Sequence, residues 1–290
     1  MAESGLRAGV VGAGLMGSEI ALVYALAGYH VLLADRDLAL AEAARERLVT
    51  LVEKQVSRGF YSLEEGRAAI DLIHPAGDLT GFADRDFVTE AVFEEIDIKA
   101  AVLTELDAVC RPGCLLATNT STIPISTLAA RVGEARRADF VGMHYFSPVS
   151  RMKLVEVIPA FDTAEAVVDA AMTHARRAGK TPIRVKDVAG FAVNRMLHMF
   201  IIEAVKLVEE GVASPADLDL ACRLGLGHAM GPFELMDVVT SSLCVQAQEI
   251  MQDAYGERFR PPALLKQRVS AGLTGGRGRR GWRTREKDDE

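Results

Sequence analysis

Two side chains that lie twelve residues apart, His144 and Glu156, are the clearest candidates for acid–base chemistry in the sequence. His144 follows the apolar run 140–143, and Glu156 lies inside a second apolar run, 154–158. A carboxylate in such a strand is shielded from water and needs a partner. A histidine held by that carboxylate would keep one tautomer, and its conjugate acid would be stabilised. The pair therefore indicates a general base, although His144 alone could equally be a core histidine.

Three glycines in the pattern G-x-G-x-x-G predict a dinucleotide site. The pattern occupies residues 12–17 between an apolar run and a stretch with helical periodicity, and a second apolar run ends at Asp35. Gly12 permits a tight turn, Gly14 lets a pyrophosphate approach the backbone, and Gly17 lets the helix pack closely on the sheet. Asp35 follows Gly17 by 18 residues, close to the roughly 20 expected of the acid that binds the adenosine ribose.

The acid at the end of the second apolar run also bears on cofactor choice. The carboxylate of Asp35 would repel a 2′-phosphate, so we expect NAD rather than NADP. Arg36 could soften this preference, because its cation could bind that phosphate. Taken alone, the glycines could instead belong to a turn in another α/β protein, or to a site for FAD or another nucleotide.

The composition favours two globular domains and argues against several classes of partner. The chain has 290 residues, 49% of them hydrophobic and 25% charged, with a net charge of −7, which argues against nucleic acid as the main partner. No apolar run approaches the roughly 18 residues that span a bilayer, so we expect no membrane partner. The four cysteines show no metal-ligand or C-x-x-C spacing, so we expect no metal and interpret them as buried thiols in a reducing cytoplasm.

A long helical tract follows the first strand–turn–helix–strand unit. It covers residues 38–70 with a break near 59–62, which predicts an inserted pair of helices. Arg47, Lys54 and Arg58 are spaced by seven and four residues, so they lie on one helical face that could bind the phosphate-bearing tail of a substrate. Interleaved glutamates make a solvated helix surface the alternative interpretation.

Two further strands, predicted at 87–92 and 114–118, end in polar residues. Parallel strands bring such junctions to one edge of the sheet, where ligands bind. We expect Pro124 in the first turn of a short helix. Taken alone, Ser121 or Thr122 would be a helix N-cap rather than a catalytic hydroxyl.

The pattern changes to long apolar helices after a closing strand predicted at 181–185. We place the domain boundary here, with an NAD-binding domain over 1–186 and a helical domain over 187–290. Asn194 is expected in the first turn of the first long helix. A helix this apolar is typical of a subunit interface, so we expect a homodimer.

Six stretches occur in the order found in one known family: GAGLMG (12–17), EAVFEEIDIK (90–99), NTST (119–122), GMHYFSPVSRMKLVEVI (142–158), GFAVNR (190–195) and MGPFELMD (230–237). On these residues the chain resembles the 3-hydroxyacyl-CoA dehydrogenase family over nearly its full length. The resemblance implies an α/β fold, with a Rossmann-type domain carrying a helical insertion, followed by an all-α dimerisation domain. It implies reversible NAD-dependent oxidation of (S)-3-hydroxyacyl-CoA to 3-oxoacyl-CoA, as in fatty acid β-oxidation.

The resemblance also implies a role for each matched position. His144 would take the 3-hydroxyl proton, while Glu156 would orient it and balance its charge. Ser121 and Asn194 would hydrogen-bond the reacting oxygen or the thioester, and Arg58 would contact coenzyme A. Contacts to the cofactor are implied at Gly12, Ala13, Gly14, Leu15, Met16, Gly17, Asp35, Arg36, Glu94, Lys99, Ser121, Ser147 and Arg277.

The sequence departs from the family at a few positions, and two other functions compete. Ser147 stands where many members have asparagine, and Arg277 and Trp282 stand in a C-terminal segment that differs from the family's usual ending. One rival is a 3-hydroxyacid dehydrogenase for a small free acid, but that family uses a catalytic lysine in the region where this chain has Asn194. The other is a non-catalytic, crystallin-like NAD-binding protein, which would have no chemical use for the whole set of candidate catalytic residues.

Overall fold

A computed structural model describes residues 5–276 and 278–283 of the chain. The chain divides into two compact units, with the division between Val188 and Ala189. This division lies two residues beyond the boundary expected from the sequence.

The first unit is an α/β unit built on one sheet. Within the described residues its strands are β1 (Arg7–Val11), β2 (His30–Ala34), β3 (Ile73–Ala76), β4 (Phe87–Glu90), β5 (Leu115–Thr118), β6 (Phe140–Tyr145), β7 (Leu154–Pro159) and β8 (Thr181–Arg184). They lie in the order β3-β2-β1-β4-β5-β6-β7-β8. Neighbouring strands are parallel except for β6 and β7, which are antiparallel. The strand order reverses beside β1, the position at which such sheets bind nucleotides.

Helices cover both faces of this sheet. They are α1 (Leu15–Leu26), α2 (Leu38–Ser57), α3 (Leu63–Asp71), α4 (Ile96–Val109), α5 (Ile125–Ala129) and α6 (Glu165–Arg177), with short 3₁₀ turns at Thr80–Phe82 and Glu134–Asp139. Side chains of α1, α2, α3 and α6 share one buried cluster with the strands. On the opposite face, Gly9 and Gly142 leave room for Phe82 and Ile125, because a Cβ added at either glycine would lie 2.5 Å from those side chains. The predicted Rossmann-type fold is confirmed.

The inserted helical pair, α2 and α3, is confirmed, and each helix has its own N-cap. The Asp37 carboxylate accepts a hydrogen bond from the Leu40 amide at 3.0 Å. Ser62 and Glu65 form a capping box at the start of α3. The two helices are therefore separated by a stop near Gly59, whose φ is +74°, and a new start at Ser62.

The second unit is helical in its described part, as predicted. Its helices are α7 (Val193–Glu209), α8 (Pro215–Gly225), α9 (Pro232–Val239), α10 (Ser241–Tyr255) and α11 (Ala263–Ser270), with a 3₁₀ turn at Glu257–Phe259. Phe233, Cys244 and Leu265 pack with α7 side chains in one buried cluster. Trp282 joins this cluster, and its indole N–H donates to the Ser241 hydroxyl at 3.0 Å.

Two sequence expectations about composition can be compared with the fold. The four cysteines are buried and make no disulfide, so the prediction of buried thiols is confirmed. In the described part of the chain, no helix combines the length and apolarity needed to cross a membrane.

Two buried polar side chains in the second unit generate a prediction about stability. The Nδ1 atom of His198 on α7 and both amide atoms of Gln248 on α10 have no hydrogen-bond partner among the described residues. Burial lowers the pKa of His198 to about 4. The unfolded chain titrates near the ordinary histidine pKa of about 6.5, so between pH 6.5 and 4 it binds more protons than the folded chain. The free energy of unfolding should therefore fall as pH falls through this window.

We expect His198→Leu to remove up to about 3 kcal/mol of this acid destabilisation between pH 6.5 and 4. Trp282 is the only tryptophan and packs in the second unit, which also contains His198. Urea unfolding monitored by tryptophan fluorescence therefore reports the stability of that unit. His30→Leu, at an exposed position, serves as the matched control. If the free energy of unfolding changes equally with pH in wild type and in His198→Leu, burial of His198 does not cause the acid destabilisation.

Candidate active site

The glycine-rich turn between β1 and α1 has the geometry of a phosphate cradle. Gly12 has a φ of +101°, and an added Cβ would lie 2.6 Å from the carbonyl oxygen of Ala91. A Cβ at Gly17 would overlap the carbonyl oxygen of Gly12. At Gly14, the N-cap of α1, no described atom lies within 4 Å of such a Cβ. The first and third glycines are therefore needed for the turn itself, whereas the second leaves space for a ligand.

Asp35, which directly follows β2, connects this strand to the turn through hydrogen bonds. One carboxylate oxygen accepts a hydrogen bond from the Ala13 amide at 2.7 Å, and the other accepts from the Arg36 amide at 2.8 Å. Each oxygen keeps a further lone pair that can accept from a ribose hydroxyl. The Arg36 side chain is exposed. From α2, the Arg47 guanidinium donates to the carbonyl of Ala13 at 3.0 Å, so one residue of the predicted cationic face reaches the turn.

The pairing predicted for His144 and Glu156 is confirmed. The two residues lie directly opposite each other in the antiparallel register of β6 and β7. Nδ1 of His144 and Oε2 of Glu156 are 2.8 Å apart. The Glu156 side chain is fully buried, whereas 7% of the His144 side chain is exposed. The carboxylate thus stands behind the imidazole and fixes its orientation, as a general base requires.

A buried ionic cluster lies where β4, the sheet neighbour of β1, ends and α4 begins. The Lys99 ammonium has no exposed surface and lies 2.8 Å from Glu90 Oε1 and 3.4 Å from Glu94 Oε2. Glu90 also accepts from the Thr118 hydroxyl at 2.7 Å, which links β4 to the end of β5. Sequence reasoning did not predict that these charges form one cluster, because Lys99 reaches Glu90 only when α4 packs beside β4.

Glu94 uses the same carboxylate to hold the loop that follows β5. Its Oε1 atom accepts from the Thr120 hydroxyl at 2.6 Å, the Ser121 amide at 2.8 Å and the Thr122 amide at 3.0 Å. Burial alone would raise the pKa of Glu94, but the Lys99 charge and these hydrogen bonds hold it below its usual value. The carboxylate is therefore charged at neutral pH, and it orients the segment that contains Ser121.

The short helix after this loop corrects two sequence expectations. Pro124 is the N-cap of α5 rather than a residue of its first turn, and neither Ser121 nor Thr122 caps the helix. Instead, the distant Asp187 carboxylate accepts from the Ile125 and Ser126 amides, each at 2.8 Å. A carboxylate at a helix start satisfies its unpaired amides, and here it comes from 62 residues away in the sequence.

Comparison with known proteins identifies the family that carries this arrangement. Residues 7–188 match the model of the 3-hydroxyacyl-CoA dehydrogenase NAD binding domain, and residues 190–285 match the model of that family's C-terminal domain. The chain belongs to the 3-hydroxyacyl-CoA dehydrogenase family. The resemblance drawn from the six sequence stretches is thereby confirmed.

Several relatives of this dehydrogenase are similar over almost the whole chain. It is 38% identical to the 3-hydroxybutyryl-CoA dehydrogenase of Mycobacterium tuberculosis over 98% of this chain and 100% of the relative. The crystal structure of M. tuberculosis FadB2 has a TM-score of 0.91 at 37% identity, covering 97% of this chain and 99% of that one. The crystal structure of (S)-3-hydroxybutyryl-CoA dehydrogenase PaaH1 from Ralstonia eutropha has a TM-score of 0.92 at 31% identity, covering 98% and 100%.

The remaining candidate residues of the dehydrogenase lie in different places. Asn194 is the second residue of α7, in the second unit. Ser147 is exposed in the segment between β6 and β7, and Lys54 and Arg58 are exposed at the end of α2, where Arg58 is the C-cap. Arg277 lies outside the described residues.

The residues of the turn fit NAD. The open position at Gly14, the amides at the start of α1 and the Asp35 carboxylate are the groups that a pyrophosphate and an unphosphorylated ribose require. Lys99 differs from the other expected cofactor contacts, because its ammonium has no exposed surface and binds two carboxylates. One of these carboxylates, Glu94, holds the loop that contains Ser121.

Substitution of the turn glycines should separate folding from cofactor binding. We expect Gly14→Ala to fold normally but to weaken NADH binding about tenfold or more, because a methyl group would occupy the approach of the phosphates. Gly17→Ala should lower the thermal unfolding midpoint, because its Cβ overlaps the Gly12 carbonyl. Fluorescence titration with NADH and thermal unfolding measure the two effects. Gly225→Ala, a glycine with open space in α8, is the control, and wild-type NADH affinity in Gly14→Ala would refute the cradle.

Proposed function

We propose that this dehydrogenase catalyses the reversible oxidation of a short-chain (S)-3-hydroxyacyl-CoA, such as 3-hydroxybutyryl-CoA, to the 3-oxoacyl-CoA with NAD. The observation that carries the proposal is the contact of 2.8 Å between His144 and the buried carboxylate of Glu156, in a chain that has the family's NAD-binding domain. The short acyl chain is supported by the names of the relatives, which are 3-hydroxybutyryl-CoA dehydrogenases.

The His144 and Glu156 pair supplies the proton chemistry in this proposal. Because Nδ1 of His144 faces the Glu156 carboxylate, the proton on the neutral ring lies at Nδ1, and Nε2 takes the proton from the 3-hydroxyl group. The positive ring that results is balanced by the carboxylate behind it. NAD, when bound, accepts the hydride that leaves C3 of the substrate. In the reverse direction His144 returns the proton to the developing alkoxide.

Other residues orient the substrate in the proposal. Ser121, held by Glu94, and Asn194, on α7, hydrogen-bond the reacting oxygen or the thioester. Lys54 and Arg58 bind the phosphates of coenzyme A, which is supported by their exposure at the end of α2. Ser147 contacts the nicotinamide ribose, Arg36 lies beside the adenosine ribose, and Arg277 contacts the cofactor by family analogy.

We further propose a cytoplasmic homodimer that acts in fatty acid β-oxidation or a related acyl-CoA pathway. Large apolar side chains of the second unit are exposed in the single chain, including Met196, Leu224, Leu226 and Val238. Apolar exposure of this kind supports an interface with a second copy through the helical unit. Four buried thiols without a disulfide support a reducing compartment.

The reaction class can be tested with purified protein. We expect NADH oxidation with acetoacetyl-CoA and no turnover with free acetoacetate, since only the thioester carries the coenzyme A groups that the helical pair would bind. NADPH should be used poorly, because the Asp35 carboxylate repels a 2′-phosphate. Turnover with free acetoacetate alone would favour the hydroxyacid rival. NADH binding without turnover on acetoacetyl-CoA or its longer-chain homologues would favour the non-catalytic rival.

The proton-transfer assignment is tested by His144→Gln. Loss of a positioned general base should reduce kcat by roughly 10²- to 10⁴-fold, while NADH affinity stays close to that of wild type. His30→Gln, which changes an exposed histidine, is the matched control and should leave kcat unchanged. Stopped-flow or steady-state NADH oxidation gives kcat, and a fluorescence titration gives NADH affinity. Wild-type kcat in His144→Gln would remove the histidine from the mechanism.

A further inference from the structure

The segment that connects β6 to β7, residues 146–153, bears directly on the candidate site. It begins two residues after His144, contains Ser147, and returns the chain so that Glu156 pairs with His144. Within the segment, the Arg151 and Met152 amides both donate to the Pro148 carbonyl at 3.0 Å. Other backbone groups of the segment are held by two charged side chains from elsewhere in the first unit.

The first of these side chains is Glu19, on α1. Its Oε2 atom accepts a hydrogen bond from the Ser150 amide at 2.7 Å, across 131 residues of sequence. Glu19 is 5% exposed, is the fifth residue of α1 and lies two residues after Gly17. The same helix whose N-terminus would receive the pyrophosphate is therefore bonded to the segment that carries Ser147.

The second side chain is Lys180, which lies directly before β8. Its ammonium donates to the Met152 carbonyl at 2.9 Å and to the Val149 carbonyl. Lys180 is 7% exposed. Burial, together with the nearby charge of Lys153, lowers the pKa of Lys180 to about 8, although the charge of Glu19 acts in the opposite direction. A charge this enclosed is retained only where its hydrogen bonds offset the cost of desolvation.

We propose that Glu19 and Lys180 are positioning residues of the dehydrogenase, which hold the 146–153 segment in fixed register with the cofactor-binding helix. The inference rests on the proposed function, because the segment places Ser147 and follows the general base. Glu19, on α1, accepts a hydrogen bond from the Ser150 amide. Lys180, at the edge of the sheet, donates hydrogen bonds to the Val149 and Met152 carbonyls. Neither side chain needs to touch substrate or cofactor.

Paired substitutions distinguish positioning from a general effect on stability. Glu19→Gln keeps an oxygen that can accept from the Ser150 amide, whereas Glu19→Met does not. Lys180→Arg keeps donors for the carbonyls, whereas Lys180→Met does not. Lys266→Met, which removes an exposed ion pair with Glu249 in the second unit, is the matched control. Folding of every variant is checked by thermal unfolding, and kinetics are measured well below each midpoint.

We expect the two methionine variants to raise KM for NADH about tenfold and to lower kcat, because small misplacements of a site are costly. KM for acetoacetyl-CoA should change little, since the segment carries the proposed contact to the nicotinamide ribose. The glutamine and arginine variants should recover most of the wild-type values. A purely structural role predicts a lower unfolding midpoint with unchanged KM and kcat in the folded protein, and that result would overturn the proposal.

Hydrogen exchange on the wild-type protein gives a second test, which requires no variant. The Ser150 amide should be protected from exchange without NADH, because in the proposal Glu19 holds it. Exchange of this amide in the folded protein as fast as that of an exposed loop would overturn the proposal even if the enzyme turns over normally. If wild type binds NADH but does not reduce acetoacetyl-CoA, the proposed function fails, while NADH affinity of the variants still tests the positioning of the segment.

Discussion

The candidate active site depends on one constraint, a fully buried carboxylate that must have a partner. Glu156 has no exposed side-chain surface, and its Oε2 atom lies 2.8 Å from Nδ1 of His144. An unpaired charge at this depth would cost several kcal/mol, so the imidazole and the carboxylate stabilise each other's position. The register of β6 and β7 provides the contact without any side-chain rearrangement. In the antiparallel pair of β6 and β7, the two residues lie directly opposite each other.

The cofactor side of the site is built on a different constraint, the steric limits of a turn. Gly12 and Gly17 are required by backbone contacts within the turn, so they say little about a ligand by themselves. Gly14 is the glycine that indicates a ligand, because no described atom lies within 4 Å of a Cβ added there. Asp35 combines both roles, since its carboxylate holds the Ala13 amide and can also accept from a ribose hydroxyl.

The sequence predicted those features that depend on short spacing or on a strong alternation of apolar residues. The glycine turn, the helical pair broken near Gly59, and the pairing of His144 with Glu156 all involve residues close in sequence or placed on recognisable strands. The contacts that were not predicted join distant segments. Asp187 caps α5 from 62 residues away, and Glu19 reaches Ser150 from 131 residues away. Neither has a local pattern, because the partner of each carboxylate is a backbone amide, which every residue except proline has.

The buried ionic cluster shows why residue types assigned by family position still need a structure. Lys99 looks like a direct cofactor contact when only its motif is considered, yet its ammonium is enclosed by Glu90 and Glu94. One cation between two carboxylates keeps Glu94 charged, and a charged Glu94 can accept several hydrogen bonds from the loop at 120–122. Neutralising that lysine would therefore weaken the contacts by which Glu94 holds the loop that contains Ser121. The same reasoning applies to Lys180, whose charge acts on backbone carbonyls, so in this fold buried cations order the loops at the site.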